Sequence, residues 1–186
     1  MAHVLTFKGV DVPTLKRLKK SGCSELFIGI ESGSPRILRS IHKTPNINVI
    51  KENLSRVLEA GIGIKGYFIF GFPTETEEDF KMTFELANFL KAQSINFNSP
   101  FRTSVFQFRP YHGTELFHFI EDEMGEVPNV TNVEGNQDLS SLVGRIQFNF
   151  HSGNYSSEPS ELVHNYIYKT TNLNDKDLFE RKNQND

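Results

Sequence analysis

The sequence predicts an α/β fold in which a parallel sheet carries helices on its outside, in an open or barrel-like arrangement. Three observations predict it. Apolar runs without helical period recur at residues 25–30, 64–70 and 104–109. Amphipathic stretches with start and stop signals stand between them. The connections are long enough for the helical crossover that neighbouring parallel strands require.

Each element has its own local cause. Residues 12–20 read as a short helix, with Asp11 as N-cap, Pro13 in the first turn and Gly22 as the stop. The run 25–30 is then a buried strand, closed by Ser32-Gly33-Ser34-Pro35. Ser34 offers a hydroxyl cap and Pro35 a first helical position, so a second helix starts at once. Ile47, Ile50, Leu54, Val57 and Leu58 form one helical stripe ending at Gly61. Residues 64–70 make the strongest strand, expected to be buried on both faces and ended by Gly71-Phe72-Pro73. Thr74 and Glu77 have capping-box spacing, and Phe80, Phe84, Ala87 and Leu90 continue a helix to about residue 92. A third strand at 104–109 ends at Pro110-Tyr111-His112-Gly113, before a helix through Leu116, Phe119 and Ile120. Residues 122–139 carry few large apolar side chains and read as a loop. Beyond them, 139–150 and 162–168 look partly helical. The expected division is therefore 1–122 as the sheet domain and 123–186 as a loop and small C-terminal appendage.

Composition narrows the function. The chain has 186 residues, with 17 Phe and no Trp. Its 20 basic and 23 acidic residues are interspersed, which argues against a nucleic-acid partner. No apolar stretch approaches the ~20 residues of a spanning helix and no signal pattern opens the chain, so no membrane partner and a cytoplasmic location are expected. The single cysteine, Cys23, excludes an internal disulfide and any multi-cysteine metal site built from this chain alone. It reads as an inert packing residue. His112, His118 and His151 show no metal-ligand spacing, so no metal ligand is assigned.

Chemistry concentrates at the strand ends. Glu31 follows a buried strand just before a Gly-Ser turn, where a carboxylate can accept two hydrogen bonds from the vicinal hydroxyls of a ribose. Ser32, Ser34 and the helix-start amides can serve polar or anionic groups. Gly71 removes side-chain bulk and Pro73 fixes a turn, which lets a flat ring approach the backbone; plain turn chemistry accounts for both residues equally well. Phe97, Phe101, Phe106, Phe108, Phe148 and Phe150 could line an apolar pocket, with core packing the better explanation for most.

Three motifs in order carry a resemblance: Gly29-Ile-Glu-Ser-Gly-Ser34 followed by Leu38 and Lys43, Gly71-Phe-Pro-Thr-Glu-Thr76 after Gly61, and Pro110-Tyr-His-Gly-Thr114. Together they resemble radical S-adenosylmethionine (SAM) enzymes, in particular the group often carrying a cobalamin-binding domain. The resemblance implies the later half of a partial (β/α)6 TIM-like barrel. It assigns SAM contacts to Glu31 at the ribose, to Ser32 and Ser34, and to Ile69, Gly71 and Pro73 beside the adenine, with Arg109 and Tyr111 facing a small-molecule substrate. It departs from the family at His112, where proline is common.

The resemblance also implies a four-iron, four-sulfur ([4Fe-4S]) cluster whose three cysteines are absent here. Met1 falls near the end of the third barrel strand, so the chain is expected to be a fragment or one half of a split protein. A missing N-terminal half or partner chain, and self-association through an exposed sheet edge, follow as expectations. The implied chemistry is hydrogen abstraction by a 5′-deoxyadenosyl radical. Carbon methylation in secondary metabolism, with cobalamin a possible second cofactor, is the leading expectation. Oxidative cyclisation and a non-catalytic half-barrel without its cluster are the alternatives.

Overall fold

Four parallel strands hydrogen-bond side by side in chain order: β1 (Ala2–His3), β2 (Glu25–Glu31), β3 (Gly63–Phe70) and β4 (Phe101–Gln107). In this computed structural model residues 2–111, 113–125 and 153–174 are described. The predicted loop beyond Gly125 and the segment 139–150 lie outside them. Strand-helix-strand crossovers are right-handed, so winding in unbroken chain order places successive helices on one face of the sheet. This is barrel winding, without the reversal of order that marks a doubly wound sheet. The expected α/β partial barrel is what forms. β1 is too short for any periodicity to reveal.

The helices are α1 (Val12–Lys20), α2 (Pro35–Ser40), α3 (Ile47–Glu59), α4 (Glu77–Asn96), α5 (Glu115–Glu123) and α6 (Ser160–Thr171). Among the described residues, none is long and apolar enough to cross a membrane. Asp11, Ser34, Asn46 and Thr114 each cap the helix that follows through a side-chain oxygen. At α4 the expected cap is corrected: the box joins Thr76 to Asp79, not Thr74 to Glu77. Thr74 lies outside the helix in a left-handed conformation, φ 61°.

The core lies between sheet and helices. Ile28, Ile30, Ile64, Phe68 and Phe70 point outward onto Leu54, Val57 and Leu58 of α3 and Phe80 and Leu90 of α4, all fully buried. Each such side chain contributes about 1.5–3 kcal/mol by leaving water. β3 alternates between buried and half-buried residues, so the expectation that both its faces are buried is corrected. Lys65, Tyr67 and Ile69 form the opposite, inner face. β4 is also displaced from the predicted 104–109. Phe101 is buried on the helix side, while Phe108 has left the strand, its N–H donating to the Phe70 carbonyl at 2.7 Å.

Residues 160–174 do not stand apart as an appendage. Val163, Tyr166 and Leu173 are buried in the main core, with the Tyr166 ring packed on Phe70 and Phe80. Asn174 then closes on the outer edge of β4. Its Oδ1 accepts from the Thr103 N–H at 2.7 Å, and its Nδ2 donates to the Thr103 carbonyl at 3.1 Å. At the C-terminal ends of the strands a smaller cluster of Ile37, Phe72, Phe108, Ile120 and Tyr155 ties the loops together.

Candidate functional site

Glu31 ends β2 in a conformation that an unbranched side chain adopts only under constraint. Its φ is 67°, and the Ser32 N–H donates to the Ile30 carbonyl at 2.9 Å, closing a three-residue turn around it. Left-handed backbone costs a non-glycine residue about 1–2 kcal/mol, and such strain persists where surrounding contacts enforce it. The β2–β3 register shifts between Gly29 and Glu31, which turns the carboxylate to the inner side. There the Lys43 ammonium donates to Glu31 Oε1 at 2.8 Å and to the Gly29 carbonyl at 3.2 Å. Gly29 leaves room for this pair: a Cβ on it would stand 2.4 Å from Glu31 Oε1. One carboxylate oxygen is thus anchored, and the second makes no hydrogen bond among the described residues.

Glu31 opens onto a groove of about 700 Å³ at the strand ends, shared with Tyr67, Ile69, Phe106, Arg109 and Tyr111. Four expected site residues therefore meet: Glu31, Ile69, Arg109 and Tyr111. Phe72 and Phe108 line the same space. Tyr67, Phe72 and Phe106 supply the aromatic walls, and Phe106 is 49% exposed. Tyr67 went unrecognised because the run 64–70 looks uniformly apolar. The alternation Lys65, Tyr67, Ile69 was the available signal. Phe101, by contrast, is core.

The other expected residues lie elsewhere. Ser32 and Ser34 are buried and face α4 instead of the groove. The Ser32 hydroxyl pairs with Thr83 Oγ1 at 3.0 Å, and the Ser34 hydroxyl donates to Asp79. Their hydroxyls fix the β2–α2 turn to α4, and Gly33 between them has no room for a Cβ against Met82 and Thr83. Asp79 also receives Arg36 and the Thr76 N–H and hydroxyl. Burial pushes its pKa up, but these hydrogen bonds outweigh that and hold it below the usual value. Pro73 lies in a separate hollow with Leu116 and Phe119. Gly71, at φ 90°, accepts the Tyr155 N–H on its carbonyl at 3.2 Å.

Glu75 was missed by the sequence reading, which treated it as part of a helix start. Its side chain is buried, and Oε2 accepts the N–H groups of Gly71 at 2.7 Å and Phe72 at 3.0 Å. Oε1 is buried without a hydrogen-bond partner among the described residues. Desolvation dominates over these two donors and pushes the Glu75 pKa up to about 8. A pKa raised that far favours the protonated acid at neutral pH, and the Glu75 side chain holds the turn carrying Phe72.

The groove fits the nucleoside side of SAM: an anchored carboxylate with one uncommitted oxygen beside aromatic walls. The residues do not fit a four-iron cluster. Cys23 is the single thiol in the chain and sits before β2, at the opposite end of that strand from Glu31. Among the described residues no group of three His, Cys, Asp or Glu side chains is placed to hold a metal ion.

Residues 3–87 match the radical SAM superfamily. The chain is 34% identical over 106 residues to an uncharacterized methyltransferase of Pyrococcus horikoshii, covering 56% of this chain and 21% of that protein. It is 34% identical over 107 residues to the bacteriochlorophyllide d C-12(1)-methyltransferase of Chlorobaculum tepidum, covering 56% of this chain and 22% of that protein. A tRNA-2-methylthio-N(6)-dimethylallyladenosine synthase of Myxococcus xanthus is 29% identical over 136 residues, covering 72% of this chain and 28% of that protein. The chain thus spans between 21% and 28% of the length of these relatives. The matched segment holds β2, β3 and the strained Glu31, and over it the chain is similar to the radical SAM superfamily.

Proposed function

We propose that this chain forms the SAM-ribose and substrate side of a radical SAM enzyme that transfers a one-carbon or sulfur-bearing group to an unactivated carbon, with methyl transfer in secondary metabolism as the leading reaction. The observation that carries the reading is Glu31, held strained at the end of β2 with one oxygen anchored by Lys43 and the carboxylate turned into an aromatic groove. SAM, when bound, supplies the methyl or 5′-deoxyadenosyl group. Glu31 orients its ribose, and Ile69 flanks the base from β3.

The remaining strands and the cluster-binding cysteines are supplied by a further part of the protein or by a partner chain, in the cytoplasm. Methyltransferases and methylthiotransferases both stand among the relatives, which supports group transfer over oxidative cyclisation. Cobalamin would serve the methyl-transfer variant. The single cysteine favours one second reading, a half-barrel that binds without catalysing.

Calorimetric titration of SAM into the chain and its Glu31→Gln and Glu31→Ala variants tests the assignment. Hydrogen bonds to a charged acceptor contribute about 1.5–3 kcal/mol each. A loss of one bond therefore weakens binding at least ~10-fold. Equal affinity in all three proteins would remove Glu31 from the site.

A further inference from the structure

We infer that the groove at the strand ends takes a flat, largely apolar ligand bearing one acidic group, which Arg109 holds. This names the substrate class of the site proposed above and rests on that reading in assigning Glu31 to SAM. The walls carry the first half of the argument. The Tyr67 and Phe106 rings lie nearly parallel, 12° apart in plane with centroids at 6.0 Å, and Phe72 and Phe108 pack at 5.0 Å. Phe106 is nevertheless 49% exposed and Tyr111 48%, so aromatic faces remain open to the groove. A volume of about 700 Å³ leaves room for a multi-ring ligand.

Charge carries the second half. Among the described residues, two ionisable groups of fixed charge line the groove, Glu31 and Arg109. Glu31 is neutralised by Lys43 at 2.8 Å, whereas Arg109 makes no ion pair among the described residues. The other cations of the inner sheet face are engaged elsewhere: Arg102 with Glu25 at 2.6 Å, and Lys65 over the rings of Phe27 and Tyr67. Among the described residues, the uncompensated charge of the groove is therefore the Arg109 guanidinium, half-buried beside apolar rings. A planar fork in that setting recognises a carboxylate through two parallel hydrogen bonds, strengthened by the low local dielectric.

The test compares 1-pyrenecarboxylate with its neutral counterpart 1-pyrenemethanol, by fluorescence anisotropy with the full chain. Wild type should bind the acid at least ~10-fold more tightly than the alcohol, as a charge-assisted pair predicts. Arg109→Gln should erase that preference while leaving alcohol affinity unchanged, Arg109→Lys should restore part of it, and Phe106→Ala should weaken both probes alike. Equal affinity of wild type for the two probes, or a preference surviving in Arg109→Gln, overturns the inference. So does displacement of the acid by SAM together with loss of SAM binding in Arg109→Gln, which would give Arg109 to the SAM carboxylate. Failure of SAM to bind wild type would instead count against the SAM reading alone, because the probe comparison contains no SAM.

Discussion

Replacing Glu75 by glutamine should flatten the pH dependence of stability between pH 5 and 8. Glu75 is buried, its pKa is raised from 4.5 to about 8 by desolvation, and one oxygen accepts two backbone N–H groups. An acid whose pKa rises on folding keeps its proton in the folded state after the unfolded chain has lost it. Its contribution is therefore fully present below about pH 4.5 and is lost progressively as pH rises toward 8. The steepest loss is about 1.4 kcal/mol per pH unit. For a domain of this size 1 kcal/mol corresponds to roughly 2–4 °C in Tm, so raising the pH from 6 to 7 should lower Tm by ~3–6 °C. Glutamine keeps the accepting carbonyl oxygen and cannot ionise. Thermal unfolding by circular dichroism at pH 5, 6, 7 and 8 should show wild type falling relative to Glu75→Gln as pH rises. The difference between the two proteins cancels the pH dependence that both share. Parallel Tm curves would refute the argument and mean that Glu75 is ionised in its buried place.

Two further substitutions separate the binding groove from the scaffold behind it. Gly29→Ala should leave Tm within ~2 °C while weakening SAM binding by about 10-fold, because the new methyl group meets the movable ends of Glu31 and Lys43, at 2.4 and 3.2 Å. Unchanged SAM affinity in calorimetry would show that the Glu31–Lys43 pair is not read by the ligand. Gly33→Ala should instead destabilise by about 3 kcal/mol or more, since its methyl group would stand 2.3 Å from the Met82 carbonyl oxygen, on helical backbone that cannot give. Denaturant unfolding checks this, and a loss below ~1 kcal/mol would mean that the β2–α2 turn moves freely against α4.

Much of the fold was legible because it is local. Asp11-Val12-Pro13, Ser34-Pro35 and the stripe from Ile47 to Leu58 specify helices from neighbours in sequence, and α1, α2 and α3 begin where those signals put them. The alternation of strand and helix was enough for the parallel sheet. What escaped was set by distant partners. Ser32 and Ser34 look like ligand donors at a turn until Thr83 and Asp79, some 45 to 51 residues on, are seen to occupy them. Glu75 reads as a helix-start carboxylate, and only its burial against the Gly71–Phe72 turn reveals a neutral acid. The groove itself combines Glu31 at the end of β2, Tyr67 within β3 and Arg109 just past β4, and spacing along the chain cannot show that they converge.

The clasp of Asn174 on Thr103 bears on how this sheet can grow. Its amide presents an N–H and a C=O to the last strand much as another strand would, and a further contact ties the Thr103 hydroxyl to the Thr170 carbonyl at 2.9 Å. Any chain seeking to extend the sheet past β4 must first lift residues 170–174 away and break these bonds. Among the described residues the opposite margin, at β1, carries no such stopper. Growth of the sheet therefore has a preferred direction, and the open margin is the one where earlier barrel strands would join.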